Sequence, residues 1–195
     1  MNSFYKILVL GSKRSGKSIL IKSIKNHLLH NNIVALISFD EPSNKIDNIK
    51  IKKYDLILYV TDKELLYTNN GLDYVLHNLN FLNIILGDQK HKLILIINKW
   101  DNTDTKLNIN SLGKYKAYRC SSTKIFIENI LKNNKGLDSD MQKCKLMAAL
   151  KETGDLSFDF SDYEQNISEI YGDWDNLINY IIINYIDQKG LFSKL

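Results

Sequence analysis

The sequence predicts an α/β protein in three layers, with a doubly wound and mainly parallel sheet between two layers of helices. Short, continuous apolar runs recur along the 195 residues, and longer segments with helical periodicity lie between them. Such runs are typical of strands buried on both faces of a parallel sheet, and their alternation with helices favours the doubly wound architecture. Ligands bind such sheets at the carboxyl ends of the strands, so the residues after each strand are the candidates for function.

Five apolar runs are the predicted strands, the fifth weaker than the others. In chain order they are FYKILVL at 4–10, IVALISF at 33–39, YDLILYV at 54–60, KLILIIN at 92–98 and KAYRC at 116–120.

Apolar residues at helical spacing predict the helices. These cover 19–29, 65–86 with an irregularity at Asn69-Asn70-Gly71, 124–131, 139–150 with a capping box of Ser139 and Gln142, and 174–187. The apolar stripe of the last helix is predicted to pack on the sheet rather than lie on a membrane surface.

Composition favours one well-packed intracellular domain. The chain has 44% apolar residues, one proline, two cysteines and a net charge of +4. It offers no disulfide framework, no signal peptide and no apolar run of membrane-spanning length. Its lysines are scattered among acidic residues, which argues against nucleic acid as the main ligand. The predicted location is the cytoplasm.

The segment GSKRSGKS lies between the first predicted strand and the first predicted helix. Its spacing matches G-x-x-x-x-G-K-[ST], in which backbone N–H groups cradle phosphates, the lysine reaches the outer phosphates and the last hydroxyl helps to hold magnesium. The helix N-terminus adds its positive dipole end. The candidate phosphate-binding residues are therefore Gly11, Ser12, Lys13, Arg14, Ser15, Gly16, Lys17 and Ser18.

A second motif, NKWD, follows the fourth strand and places Asn98, Lys99 and Asp101 at its carboxyl end, where it resembles N-K-x-D, the guanine-reading motif of GTPases. The carboxylate of Asp101 can accept two hydrogen bonds, from the guanine ring N–H and its exocyclic amine, whereas adenine offers no such pair. Asn98 is expected to tie this segment to the 11–18 loop, and the stem of Lys99 is expected to lie along the base.

A third motif follows the fifth strand, where Ser121, Ser122, Thr123 and Lys124 resemble the S-A-K loop that contacts the guanine oxygen. Taken together, the three motifs resemble those of P-loop GTPases of the Ras-like and dynamin-like superfamily. The resemblance covers about residues 4–134 and the last helix. It implies that residues 1–195 form a single G domain, with strand order 2-1-3-4-5 and a helical insertion at about 135–172.

The resemblance also implies GTP, GDP and magnesium as ligands. Ser18 would hold the metal together with a carboxylate at a strand end, for which Asp40 and Asp62 are the candidates. Asp40 is preferred because the 58 residues from it to Asn98 are close to the spacing in the family. Asp62 is then a solvated strand end.

The switch elements depart from the family pattern. Only 22 residues separate Lys17 from Asp40, none of them threonine, and Ser43 stands where the family has a glycine that senses the γ-phosphate. No glutamine follows closely to orient a water molecule. In contrast, Arg14 occupies the position at which guanylate-binding proteins and atlastins place an arginine that reaches the γ-phosphate. Arg14 and Lys17 are accordingly the catalytic candidates for slow GTP hydrolysis.

Two rival functions follow from the same motifs: a scaffold that holds GTP without hydrolysing it, and a P-loop kinase for a small phosphate acceptor. The kinase is disfavoured because such enzymes commonly clamp phosphates with several arginines, and this chain has two. A protein partner is expected at residues 135–172, and a nucleotide-dependent dimer is compatible with the resemblance. The terminal Ser193-Lys194-Leu195 has the form of a peroxisomal import signal and gives a second predicted location.

Overall fold

A computed structural model describes residues 4–29, 37–42, 48–99, 110–153 and 173–188. Within these residues the protein is α/β, with a five-stranded sheet in which every pair of neighbouring strands is parallel. Helices lie on both faces of the sheet. The predicted three-layer fold is confirmed.

The strand order is β2-β1-β3-β4-β5, as predicted. Register places Leu8 beside Asp40, Gly11 beside Val60, and Asp62 beside Asn98. The strands are β1 (Tyr5–Gly11), β2 (Ile37–Asp40), β3 (Leu56–Asp62), β4 (Leu93–Asn98) and β5 (Lys116–Arg119).

The helices of the described residues are mostly those that the periodicity predicts. In chain order they are α1 (Lys17–Leu29), α2 (Asn48–Ile51), α3 (Lys63–Leu66), α4 (Asn69–Leu86), α5 (Ser122–Asn133), α6 (Ser139–Thr153) and α7 (Trp174–Gln188). Short 3₁₀ turns at Gly87–Lys92 and Asn110–Leu112 precede β4 and β5.

Each face of the sheet has its own core. On one face α1 and α7 pack over the odd-numbered residues of β1, in a cluster that includes Leu20, Ile24, Leu177 and Ile181. On the other face α4 supplies Val75, Leu79, Leu82 and Leu86 against the side chains of β3 and β4. Since successive residues of a strand point to opposite faces, both faces of β3 and β4 need apolar residues.

The last helix packs on the sheet, as predicted. Leu177, Ile178, Ile181 and Tyr185 are buried in the cluster that contains β1 and α1, and Tyr185 meets Tyr5 edge to face at 5.9 Å. Within the described residues, no helix combines the length and the apolar character needed to cross a membrane.

The predicted insertion at 135–172 begins with α6, and residues 154–172 lie outside the described part. Leu146 of α6 is buried against Phe126 and Ile127 of α5 and Ile19 of α1. This contact joins α6 to the same layer as α1. Most other side chains of α6 are exposed, including Met141, Cys144 and Met147.

The starts of two helices differ in detail from the prediction. The segment predicted as helical over 65–86, with an irregularity at Asn69-Asn70-Gly71, is divided next to that irregularity into α3 and α4, because the Thr68 side chain accepts a hydrogen bond from the Gly71 N–H at 3.1 Å and starts α4 there. Helix α6 begins at Ser139 and is capped by Asp138, which accepts from the Met141 N–H at 2.8 Å; the side chain of Ser139 lies outside the described part. Gln142 instead donates to the Asn134 and Leu137 carbonyls.

Candidate functional site

The 11–18 loop connects β1 to α1 in a conformation that requires glycine at two positions. Gly11 and Gly16 have φ of 139° and 81°, and Arg14 is left-handed at 62°. A Cβ on Gly11 would overlap the Val60 carbonyl, and one on Gly16 would overlap the Asn98 amide. The Ser12 N–H donates to the Val60 carbonyl at 3.1 Å, which holds the loop against the carboxyl end of β3.

Lys17 and Ser18 lie in the first turn of α1, where the Lys17 side chain folds back over the 11–18 loop and the Ser18 side chain meets the residue after β2. The Lys17 amine donates to the Ser12 carbonyl at 2.8 Å. The Ser18 hydroxyl donates to Glu41 Oε2 at 2.9 Å, while Glu41 Oε1 is 4.0 Å from the Lys17 amine. A cation and a hydroxyl therefore meet a single carboxylate just beyond β2.

Asn98 is the bridge between the three motifs. Its amide donates to the Ser15 carbonyl of the 11–18 loop at 2.8 Å, and its Oδ1 accepts from the Ser122 N–H at 3.0 Å. The side chain is buried, with 1% exposed. The contact with the 11–18 loop is the one that the resemblance implies. A further bond from the Ser23 hydroxyl to the Ser122 carbonyl at 3.0 Å joins α1 to α5.

Lys99 follows in a left-handed conformation, with φ of 56°. Its amine is 2.6 Å from Asp62 Oδ2, and the other oxygen of Asp62 accepts from the Glu64 N–H at the start of α3. Asp62 is thus not a solvated strand end. It holds Lys99 above the carboxyl end of the sheet, next to Asn98.

Asp40 lies at the end of β2 and is exposed. Its Oδ2 accepts from the Tyr54 hydroxyl at 2.7 Å. Partial burial and this hydrogen bond to Asp40 raise the pKa of Tyr54 to about 12. Asp40 is therefore hydrogen-bonded to the segment before β3, whereas the carboxylate that contacts Ser18 is that of Glu41.

The segment after β5 lies beside Asn98. Ser121 and Ser122 are buried, and Thr123 is partly buried. The side-chain hydroxyls of Ser15 and Ser122 are buried without a hydrogen-bond partner. Burial raises the pKa of the Cys120 thiol to about 12, with a smaller contribution from Asp173. Cys120 is accordingly a protonated core residue at physiological pH.

The electrostatics of the site favour an anion. Lys13 and Arg14 are exposed on the 11–18 loop, Lys17 lies behind them, and the N-terminus of α1 opens at the same point. A helix N-terminus with a lysine beside it is suited to bind phosphate. Among the described residues, no three His, Cys, Asp or Glu side chains are grouped to hold a metal ion. Magnesium would still fit, because it commonly uses one or two protein oxygens with phosphate and water.

Several predicted residues lie outside the described part: Asp101 of the NKWD motif, Ser43, and Ser193-Lys194-Leu195. The side chain of Lys124 is not described either. The structure brings together the 11–18 loop, Asn98 and Ser122, and it leaves Asp40 facing Tyr54.

Glu41 is the residue that the sequence analysis missed. Strand alternation contained the signal, since Ile37 and Phe39 pack with α1 and the next residue in that series is Glu41.

No family model matches this chain, and no curated protein matches it in sequence. The order 2-1-3-4-5 occurs in more than one kind of doubly wound protein. The function of this chain is therefore inferred from the site itself.

Proposed function

We propose that this protein binds GTP and GDP with magnesium and hydrolyses GTP slowly, as a divergent P-loop GTPase. The observation that carries the proposal is the Asn98 side chain, which joins the Ser15 carbonyl to the Ser122 N–H. Through it, the phosphate-binding pattern, the NKWD motif and the segment after β5 form one site. Such a site has phosphate-binding groups at one end and base-binding groups at the other.

The phosphate end would use the backbone of the 11–18 loop with Lys17, and magnesium would be held by Ser18, a carboxylate after β2 and phosphate oxygens. When bound, the metal neutralises charge on the phosphates. The base end would use Asp101 for guanine, with Lys99 held over it by Asp62. Asn98 fixes the distance between the two ends.

Guanine recognition is tested at Asp101. In Asp101→Asn, the affinity for GDP should fall about 100-fold, because the amide keeps one acceptor oxygen but loses the charge and the second acceptor of the carboxylate. Affinity for xanthosine diphosphate should rise, because the new amide N–H₂ can face the xanthine carbonyl. Competition against a fluorescent guanine nucleotide measures both changes.

Asp104→Asn makes the same charge change three residues away and should leave both affinities near those of the wild type. If ATP competes as well as GTP in the wild type, guanine specificity is wrong and a kinase is favoured.

Hydrolysis is tested at Arg14, which is exposed and left-handed on the 11–18 loop. Arg14→Ala should retain GTP binding and slow single-turnover hydrolysis about tenfold or more, which is about 1.4 kcal/mol of barrier. Arg14→Lys should give an intermediate rate, because it keeps the charge without the planar fork of donors. Equal rates for Arg14→Ala and the wild type would exclude a catalytic role for this side chain.

A scaffold that binds GTP without turnover would use the same site. The absence of threonine between Lys17 and Asp40 favours it, because that residue usually closes on magnesium and the γ-phosphate. A wild type that binds GTP and releases no phosphate in a single-turnover assay would establish this alternative.

A further inference from the structure

We propose that Glu41, and not the neighbouring Asp40, is the carboxylate that serves magnesium in this site. The inference rests on the proposed function and assigns one of its roles to a residue that the motif spacing does not indicate. Three features of the described residues support it: the face on which Glu41 lies, its contacts with Ser18 and Lys17, and the engagement of Asp40 elsewhere.

The face follows from the alternation of β2. Ile37 and Phe39 belong to the core cluster under α1, which is the face of the sheet that carries the 11–18 loop. Residues two apart in an extended chain point to the same side, so Glu41 is directed toward α1. Asp40 is one residue out of phase and is bonded to Tyr54, which packs with the core of the opposite face.

The contacts of Glu41 are those expected of a metal-side carboxylate. Its Oε2 accepts from the Ser18 hydroxyl at 2.9 Å, so two hard oxygen atoms lie together at the first turn of α1. Carboxylate and hydroxyl oxygens are ligands that magnesium accepts, directly or through its bound water. The other oxygen, Oε1, lies 4.0 Å from the Lys17 amine.

The negative charge of Glu41 predicts the direction in which nucleotide affinity changes when this residue is replaced. A carboxylate beside Lys17 opposes the binding of phosphates when no metal is present, because like charges repel and both anions face the same amine. Bound magnesium would supply positive charge that compensates both anions, and the same carboxylate charge would then favour nucleotide binding. Removing the charge should therefore have opposite effects on nucleotide affinity with and without magnesium.

The experiment measures GDP affinity with a fluorescent analogue in EDTA and across a magnesium titration, for the wild type, Glu41→Gln and Asp40→Asn. Glutamine keeps the shape of Glu41 and an oxygen for the Ser18 hydroxyl. Asp88→Asn, an exposed carboxylate before β4 and so at the other end of the strands, is the control for net charge. Thermal unfolding checks that each variant is folded.

In the wild type, magnesium should tighten GDP binding. In Glu41→Gln, the magnesium concentration that gives half of this tightening should rise about 10–100-fold. In EDTA, the same variant should bind GDP more tightly than the wild type does. Asp40→Asn and Asp88→Asn should both follow the wild type. If Glu41 served only to order the 11–18 loop, its replacement would weaken GDP binding by the same factor with and without magnesium.

Other results overturn the inference in distinguishable ways. If Asp40→Asn loses the magnesium response while Glu41→Gln keeps it, Asp40 has the role and the proposed function stands. If Glu41→Gln weakens binding equally with and without metal, Glu41 is structural. A wild type that binds GDP without any response to magnesium removes the metal from the proposed function, and a wild type that binds no guanine nucleotide overturns both proposals.

Discussion

Replacing Asn98 by alanine is expected to lower the free energy of unfolding by about 2–6 kcal/mol, because two buried backbone groups lose their partners at about 1–3 kcal/mol each. These are the Ser15 carbonyl and the Ser122 N–H. Water cannot easily replace the side chain, since Asn98 is 1% exposed and Ser122 is also buried. Domains of this size are stable by about 5–15 kcal/mol, so this loss is a large fraction of the total.

Urea unfolding of the ligand-free protein measures this effect as a lower midpoint at an unchanged slope. Asn184→Ala is the matched control, because that side chain donates to the Tyr180 carbonyl one turn earlier in its own helix and so bridges no separate segments there. For Asn184→Ala, the free energy of unfolding is expected to fall by less than about 1 kcal/mol, since alanine also favours the helix. An Asn98→Ala midpoint equal to that of Asn184→Ala would mean that Asn98 does not hold the three segments together.

The arrangement of the sheet could be predicted because apolar runs and intervening helical segments are strong signals. The strands buried on both faces carry continuous apolar runs, as in LILII of β4, and this pattern does not depend on distant contacts. Ends and breaks of helices were less predictable. The irregularity before α4 was predicted from Asn69-Asn70-Gly71, but the helix start itself depends on the Thr68 side chain, which accepts from the Gly71 N–H and donates to the Leu65 carbonyl.

The site was predictable where its residues are specified by backbone geometry. Gly11 and Gly16 are required because their φ angles are positive and a Cβ would overlap a neighbour, so the glycine spacing identifies the loop. Carboxylates are harder to assign, because Asp40, Glu41 and Asp62 all lie at strand ends. Their roles depend on which face of the sheet they meet and which hydroxyl or amine lies there, and these contacts form only in the folded chain.

Replacing Lys17 by alanine is expected to weaken GTP and GDP binding about 100-fold or more. The loss corresponds to roughly 3 kcal/mol, the upper range for a hydrogen bond to a charged group. The Lys17 amine lies where this role requires it, since its bond to the Ser12 carbonyl folds it over the 11–18 loop. Part of its ordering entropy is therefore lost on folding, not on binding.

The structural cost of Lys17→Ala should be much smaller than its effect on binding. The variant loses the bond to Ser12 and a contact of 4.0 Å with Glu41, so the free energy of unfolding should fall by about 1 kcal/mol.

Lys25→Ala is the control, on the same helix and with the same change in charge. It removes an exposed amine that lies 5.6 Å from the Phe39 ring centre. Its nucleotide affinity should stay within about fivefold of the wild type, as is usual for an exposed charge. Titration of a fluorescent guanine nucleotide compares the two variants. If both weaken binding to the same small degree, Lys17 acts only through net charge, and the 11–18 loop does not bind phosphate in the manner its sequence predicts.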